Sequence, residues 1–322
     1  MNIIIKTPSF IGDTIMMLPS LELLRLEYPD ARFTVVCKEN CRDIFREKGI
    51  DKIIIDNTKG KKRVSKTFTL IKTIKEDRYD LGVLFHNTFI DALIFKLSNI
   101  KTIIGYDKEG RKILLDFWIK IDRSRHYVNH YANLVNQYLD NRYSTLPPMH
   151  LNAKKQDIIS KDEKLFVGFV LGSVKDTRGY PLKQSLELFE LLKNRGFHIV
   201  LLGDVNDFPS NAMYEKKLLN SDTKVTNLSA KTTVGEYIDI INALDLLITI
   251  DTSAIHIAAA TKTPFIALIG KGSSPFEVVK PKVDFGSFLF KGEMCIKGED
   301  FIKQIKASDI VYEIDRRLKL DK

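Results

Sequence analysis

The sequence predicts an α/β protein built from two doubly wound parallel-sheet domains, and three observations carry that prediction. Short apolar, β-branched runs alternate with longer amphipathic runs through the first half of the chain. The pattern then loosens once, into NRYSTLPPMHLNAKKQDIISKDEK at residues 141–164, a polar stretch with a double proline. After it the alternation restarts. Strand and helix taking turns call for parallel sheets with right-handed crossovers and helices on both faces. The expected domains are therefore 1–150 and 151–322, and two units of similar size on one linker are expected to face each other across a central cleft, a favoured place for small-molecule sites.

The elements follow in order. IIIK (residues 3–6) reads as a buried strand, and Ile15, Met16, Leu18, Leu21 and Leu24 behind it keep helical spacing. RFTVVCK, IDKIIID, LGVLFH and KTIIGYD read as further strands, with CRDIFREKG, FTLIKTIKEDRYD and TFIDALIFKL between them and HYVNHYANLVNQYLD as the closing helix of the first half. The second half opens with LFVGFVLG and a helix from about Leu182 to Asn194. FHIVLLG, KVTNLS, TVGEYIDIINALD, LLITI, SAIHIAAA and PFIALIG follow. The tail SDIVYEIDRRLKL offers Ser308 or Asp309 as a cap and places Ile310, Val311, Ile314 and Leu318 on one face. This last helix, from about residue 308, is expected to pack back on the first domain.

Composition narrows the class. At 322 residues and 44% apolar content the chain exceeds one compact core. Fifty Lys and Arg against 41 Asp and Glu give a formal charge of +9, spread along the chain, which favours anionic partners. Cys37, Cys41 and Cys295 form no CxxC pair, which argues against a disulfide framework or zinc site and for a reducing cytoplasm. MNIIIKTPSF has too short an apolar core for an export signal, and no run reaches the ~18 apolar residues of a spanning helix. The basic residues are not interleaved with stacking aromatics, so a nucleic-acid partner is not expected.

Several loops carry candidate chemistry. Asp13, in PSFIGDTIMMLPS, falls where the first strand hands over to a helix, the face on which parallel sheets bind ligands; a reactive carboxylate and a helix cap both fit. Asp251, Thr252 and Ser253 stand at the first turn of a helix after LLITI, where free backbone N–H groups and the positive dipole end bind phosphate. His256 lies five residues on, near the same helix end, and Ala258, Ala259 and Ala260 keep that helix thin. The plain alternative is capping by Asp251 or Ser253 beside an ordinary half-buried histidine.

In VLGSVKDTRGYP, Gly172 and Ser173 supply a turn and a hydroxyl, and Arg178 a charge able to neutralise a diphosphate or simply to sit in solvent. Lys231 occupies a third such loop, where Thr232 or Thr233 is a candidate helix cap. Lys61, Lys62 and Arg63 lie in the densest basic run, suited to an anionic acceptor or lipid headgroup or to plain solvent exposure, and Arg111 is a further basic candidate of the first domain. The absence of GxGxxG, GxxxxGK[ST], HExxH, GxSxG and DxD weakens hydride-transfer, ATPase, serine-hydrolase and metal-dependent sugar-transfer readings.

PSFIGDTIMMLPSLELLRLEYPDA resembles the opening of the bacterial lipopolysaccharide heptosyltransferases, and DTSAIHIAAATKTPFIALIG resembles their donor-binding segment. NTFIDAL, IIGYDKEGR, GDVND, NLSAKTTVGEYI and CIKGEDFIKQI continue the likeness in the right order over most of the chain. The resemblance implies a GT-B fold of two Rossmann-like lobes, and an enzyme that performs inverting transfer of heptose from ADP-L-glycero-D-manno-heptose to the lipopolysaccharide inner core. It implies Asp13 as general base. It puts Gly172, Ser173, Arg178, Lys231, Asp251, Thr252, Ser253 and His256 on the donor, and Lys61, Lys62, Arg63 and Arg111 on the acidic acceptor. No cofactor or metal is expected, and the partners implied are the nucleotide sugar, the anionic lipopolysaccharide core and, peripherally, the cytoplasmic side of the inner membrane. Two departures stand out: Ala254 where the family usually has glycine, and Tyr180 where it usually has tryptophan. The competing readings are a GT-B transferase using another nucleotide sugar on a glycan or protein, and a non-catalytic nucleotide-binding relative.

Overall fold

The computed structural model describes residues 1–46, 48–156, 164–172, 179–270, 275–292 and 301–319. The chain divides into two compact units, Met1–Asn152 and Ala153–Lys322.

The first unit runs β1 (Asn2–Lys6), α1 (Ile11–Met16), α2 (Leu18–Glu27), β2 (Arg32–Cys37), a 3₁₀ helix (Glu39–Phe45), β3 (Lys52–Ile55), α3 (Arg63–Lys75), β4 (Leu81–Leu84) and α4 (Phe89–Leu97). It continues through β5 (Thr102–Asp107), a second 3₁₀ helix (Arg111–Leu114), β6 (Phe117–Lys120) and α5 (Tyr127–Tyr138). What reads as one helix after β1 is two. Pro19 stands in the first turn of α2 and has no N–H to extend the ladder backward, so the chain breaks at Met17, whose N–H closes α1 on the Asp13 carbonyl at 3.0 Å.

The second unit runs β7 (Leu165–Val170), α6 (Leu182–Leu192), β8 (Phe197–Leu201), α7 (Phe208–Leu218), β9 (Lys224–Asn227), α8 (Val234–Ala243), β10 (Leu246–Ile250) and α9 (Ser253–Thr261). It ends with β11 (Phe265–Ile269), α10 (Phe276–Val279), β12 (Gly286–Phe290), a third described 3₁₀ helix (Phe301–Gln304) and α11 (Ala307–Leu318).

Among the described residues each unit holds one six-stranded sheet, all its pairings parallel, ordered β3-β2-β1-β4-β5-β6 in the first and β12-β11-β10-β7-β8-β9 in the second. The central strands are apolar on both faces: Ile3, Ile4 and Ile5 of β1 and Leu246, Leu247 and Ile248 of β10 have no exposed surface, as buried parallel strands require. In both sheets the strand order reverses once, between β1 and β4 and between β7 and β10. A crevice opens there at the carboxyl ends of the strands, because the crossovers on either side lead to opposite faces.

The terminal helix belongs to the second unit. Ala307, Ile310 and Ile314 of α11 are fully buried in the second unit's own core with Leu188, Phe189 and Leu192 of α6. The Tyr180 hydroxyl donates to the Ile305 carbonyl at 2.9 Å and Arg195 pairs with Asp315 at 2.5 Å. A complementary apolar face was available on the neighbouring helix, so α11 closes the domain that it ends.

Candidate functional site

The residues that follow β1 and β4 form the candidate site of the first unit. Phe10 is the N-cap of α1 and offers no acceptor, and Asp13 is the third residue of the helix. Its carboxylate is therefore not the helix cap. Thr14 pins the turn beneath it, its hydroxyl donating to the Phe10 carbonyl at 2.9 Å and lying 3.5 Å from Cys41 Sγ. Burial pushes the Asp13 carboxyl up to about 6, against a smaller opposing pull from His86. A carboxylate with that affinity for a proton suits a general base working near neutrality.

His86 stands at the end of β4, across the switch point from Asp13. Its Nδ1 lies 2.6 Å from Asp91 Oδ2, and its Nε2 lies 3.3 Å from Ser9 Oγ. Asp91 is buried in the first turn of α4 and is also bonded by the Thr88 hydroxyl. Sequence reasoning passed over both residues. The signal available was a histidine and an aspartate five apart across a strand-to-helix junction.

Arg111 corrects an expectation. It has no exposed surface, and its guanidinium donates to the carbonyls of Tyr106 and His86 (both 2.7 Å) and to Asn87 Oδ1 (2.6 Å). It staples the loop after β4 to the loop after β5, and its donors are taken up by protein rather than offered to an acceptor. Lys61, Lys62 and Arg63 are exposed, at the start of α3, beside Val64 and Phe68, which are 70% and 66% exposed. Lys62, Val64, Ser65, Phe68, Thr69 and Lys72 line a shallow groove there, and residues 57–75 contain seven Lys or Arg and no carboxylate.

The candidate site of the second unit follows β7 and β10. Thr252 is the N-cap of α9 in extended conformation, with no side-chain hydrogen bond closing the cap, and Asp251, Thr252 and Ser253 are partly exposed. The helix start is thus a cluster of N–H groups at the positive end of a dipole, at the strand-order reversal. Ala258, Ala259 and Ala260 are buried, and so is Ala254. His256 is only 6% exposed, so its ring lies largely within the domain.

Gly172, at the end of β7, borders Asp207 in the loop between β8 and α7, where Asp204 N donates to Asp207 Oδ2 at 2.9 Å. Burial raises the Asp207 carboxyl above its ordinary range. Asp207 too was missed; only its place in GDVND hinted at it. Lys231 is exposed, its Nζ donating to the Asn227 carbonyl at 2.9 Å. Thr233 caps α8 in a reciprocal arrangement with Glu236. Tyr180, the departure from tryptophan, is 4% exposed and used in packing. Ser173 and Arg178 lie outside the described residues. Among the described residues no group of three or more His, Cys, Asp or Glu side chains is placed to hold a metal ion, and no helix is long and apolar enough to cross a membrane.

Known proteins of similar sequence and shape agree with one another. The chain is 25% identical over 305 residues to lipooligosaccharide heptosyltransferase 2 of Haemophilus influenzae, covering 86% of this chain and 85% of that protein. Among solved structures it resembles E. coli ADP-heptose lps heptosyltransferase II (TM-score 0.84, 22% identity, 99% of both chains). It also resembles E. coli heptosyltransferase WaaC with ADP-2-deoxy-2-fluoro heptose (TM-score 0.76, 16% identity, 98% of this chain and 99% of that one). These likenesses establish the two-domain GT-B fold. Residues 67–278 match the family described as glycosyltransferase family 9 (heptosyltransferase), well over half of the chain, and the chain belongs to that family.

Proposed function

We propose that this glycosyltransferase moves heptose, with inversion, from ADP-heptose to the inner core of lipopolysaccharide. The observation that carries the reading is the pairing of chemistries at the two switch points: a proton-avid carboxylate, Asp13, in one sheet and an open helix start, Thr252–Ser253, in the other. An acceptor hydroxyl is a poor nucleophile until a positioned base takes its proton as the sugar carbon is attacked. As the new C–O bond forms, the bond from the anomeric carbon to the diphosphate breaks and the negative charge passes to ADP. Amides at the start of α9 stabilise that charge, and Lys231, with Arg178, adds positive charge, so the proposed step calls on no metal ion. Asp207 is suited to the ribose hydroxyls, since a carboxylate accepts from two neighbouring O–H groups at once.

The acceptor is anionic, and the exposed cations of α3 with Val64 and Phe68 among them give the first unit a surface suited to it and to peripheral contact with the cytoplasmic face of the inner membrane.

Incubation with defined core acceptors and ADP-heptose, followed by mass spectrometry, tests the reading. The expected product is heavier by one heptose, and Asp13→Ala abolishes its formation while ADP binding persists. Transfer from a different nucleotide sugar, or near-normal turnover by Asp13→Ala, overturns it.

A further inference from the structure

We propose that Ser9, His86 and Asp91 form a reactive centre of their own: a serine nucleophile, a histidine base and an orienting aspartate that cleave short acyl esters. The inference goes beyond heptose transfer and does not rest on it.

The three side chains are joined by hydrogen bonds in series. Ser9 Oγ lies 3.3 Å from His86 Nε2, and His86 Nδ1 lies 2.6 Å from Asp91 Oδ2. A hydroxyl within reach of a base that a third group holds in place is the arrangement that activates serine. It is recognised by geometry and roles, so the missing GxSxG does not speak against it. Asp91 sets the direction of the series. Burial pushes its carboxyl up, but hydrogen bonds from His86 and Thr88 and the charge of Lys6 outweigh that and hold it below the ordinary range. An ionised carboxylate only accepts, so it takes the Nδ1–H. The Nε2 lone pair of the neutral imidazole is then left facing the Ser9 hydroxyl.

The centre is rigid at its base and open at its reacting end. The Pro8 carbonyl accepts from the hydroxyls of Thr7 at 2.9 Å and Thr14 at 3.3 Å, and the Ser9 carbonyl lies 3.9 Å from Cys41 Sγ. Buried Arg111 donates to the His86 carbonyl at 2.7 Å, so the backbone under both reacting residues is pinned. Ser9 and His86 are partly exposed, whereas Asp91 is buried. The next residue after the serine, Phe10, is 73% exposed, which gives this loop apolar surface suited to a short acyl group. All three members follow β1 or β4, the adjacent strands between which the order of the first sheet reverses.

The chemistry balances with ester and water as the only reactants. As Ser9 Oγ bonds to the ester's carbonyl carbon, its proton passes to His86 Nε2. The bond from that carbon to the alcohol oxygen breaks, and His86 returns the proton to the departing oxygen. Water then attacks the acyl-serine, giving its proton to Nε2. The proton goes back to Ser9 Oγ as the carboxylic acid leaves. Ser9 and His86 are catalytic residues in this step, and Asp91 is a positioning residue.

The probe is p-nitrophenyl acetate, given to the full-length protein. Release of p-nitrophenolate is expected in a burst, with an acetyl group left on the tryptic peptide Thr7–Arg25 and placed at Ser9 by fragmentation mass spectrometry. Ser9→Ala is expected to remove both. His86→Gln is expected to slow acylation by about 100-fold or more. Asp91→Asn turns an N–H toward Nδ1 and favours the tautomer with its proton on Nε2, so acylation slows while the melting temperature holds, and Asp91→Glu recovers part of the rate. The adduct on the native protein needs no variant. Acetyl absent from Ser9, or found on lysines alone, overturns the proposal, and so does native-rate acylation by folded His86→Gln or Asp91→Asn. No nucleotide sugar is present, so the outcome is independent of the sugar transferred.

Discussion

Asp207 occupies the space that a side chain at Gly172 would need: a β-carbon built on Gly172 lies 1.7 Å from Asp207 Oδ1. Gly203 meets the same carboxylate from the next loop, with a φ of +150° that L side chains rarely adopt and a β-carbon position 2.4 Å from Oδ2. Two glycines on adjacent strand ends thus make room for one acidic group at the edge of the proposed donor site. Gly172→Ala is expected to push the carboxylate aside and weaken ADP-heptose binding by about tenfold or more, measured by calorimetry. Undiminished affinity would remove Asp207 from the donor site.

Asp13 is held in a costly state. Its carboxyl is raised from 3.8 to about 6 by burial, so the folded protein binds more protons than the unfolded chain between those values. Stability therefore falls as pH rises through that window, and at neutral pH the cost is on the order of 3 kcal/mol. Asp13→Asn is expected to melt at a higher temperature than the native protein at pH 7 and at nearly the same temperature at pH 4, while losing turnover. Equal melting temperatures at pH 7 would mean that the carboxylate is not desolvated.

The native enzyme's rate has a matching signature. A base must be ionised to accept a proton, so kcat/KM is expected to rise with pH through about 6 and then level. A rate that is flat from pH 5 to 8 would exclude Asp13 as the titrating base.

Arg111 is expected to matter for folding. Arg111→Met leaves the carbonyls of Tyr106 and His86 and the Asn87 amide oxygen without their donor, and should cost about 3 kcal/mol in denaturant unfolding. A loss below ~0.5 kcal/mol would show that the staple contributes nothing.

The exposed start of α3 should behave as an electrostatic surface. Replacing Lys61, Lys62 and Arg63 with Glu is expected to abolish binding to vesicles containing anionic lipid and to leave melting unchanged, because none of the three is buried. Retained binding would exclude this basic run as the proposed membrane-contact surface.

Local regularities told much of this in advance. The alternation of β-branched and amphipathic runs announced parallel sheets, because buried parallel strands must be apolar on both faces. Asp13 and the Asp251–Ser253 turn were singled out for a related reason: polar residues in the segments that follow such strands fall on the face where parallel sheets bind ligands. Thr233 as a cap of α8 was readable from the glutamate three residues on.

What the sequence by itself determined was therefore periodic and local: two sheets, their linker, and the loops where chemistry could gather. The tertiary structure decided which polar groups those loops keep for the fold and which they offer outward. Arg111 was drawn inside because three oxygens converge on its guanidinium, α11 stayed with α6 because their apolar faces match, and His86 met Asp91 and Ser9 because the strand order brings β1 and β4 together. Such contacts join residues 77 positions apart at Ser9 and His86 and 120 apart at Arg195 and Asp315, and no periodicity encodes a distance across such intervals.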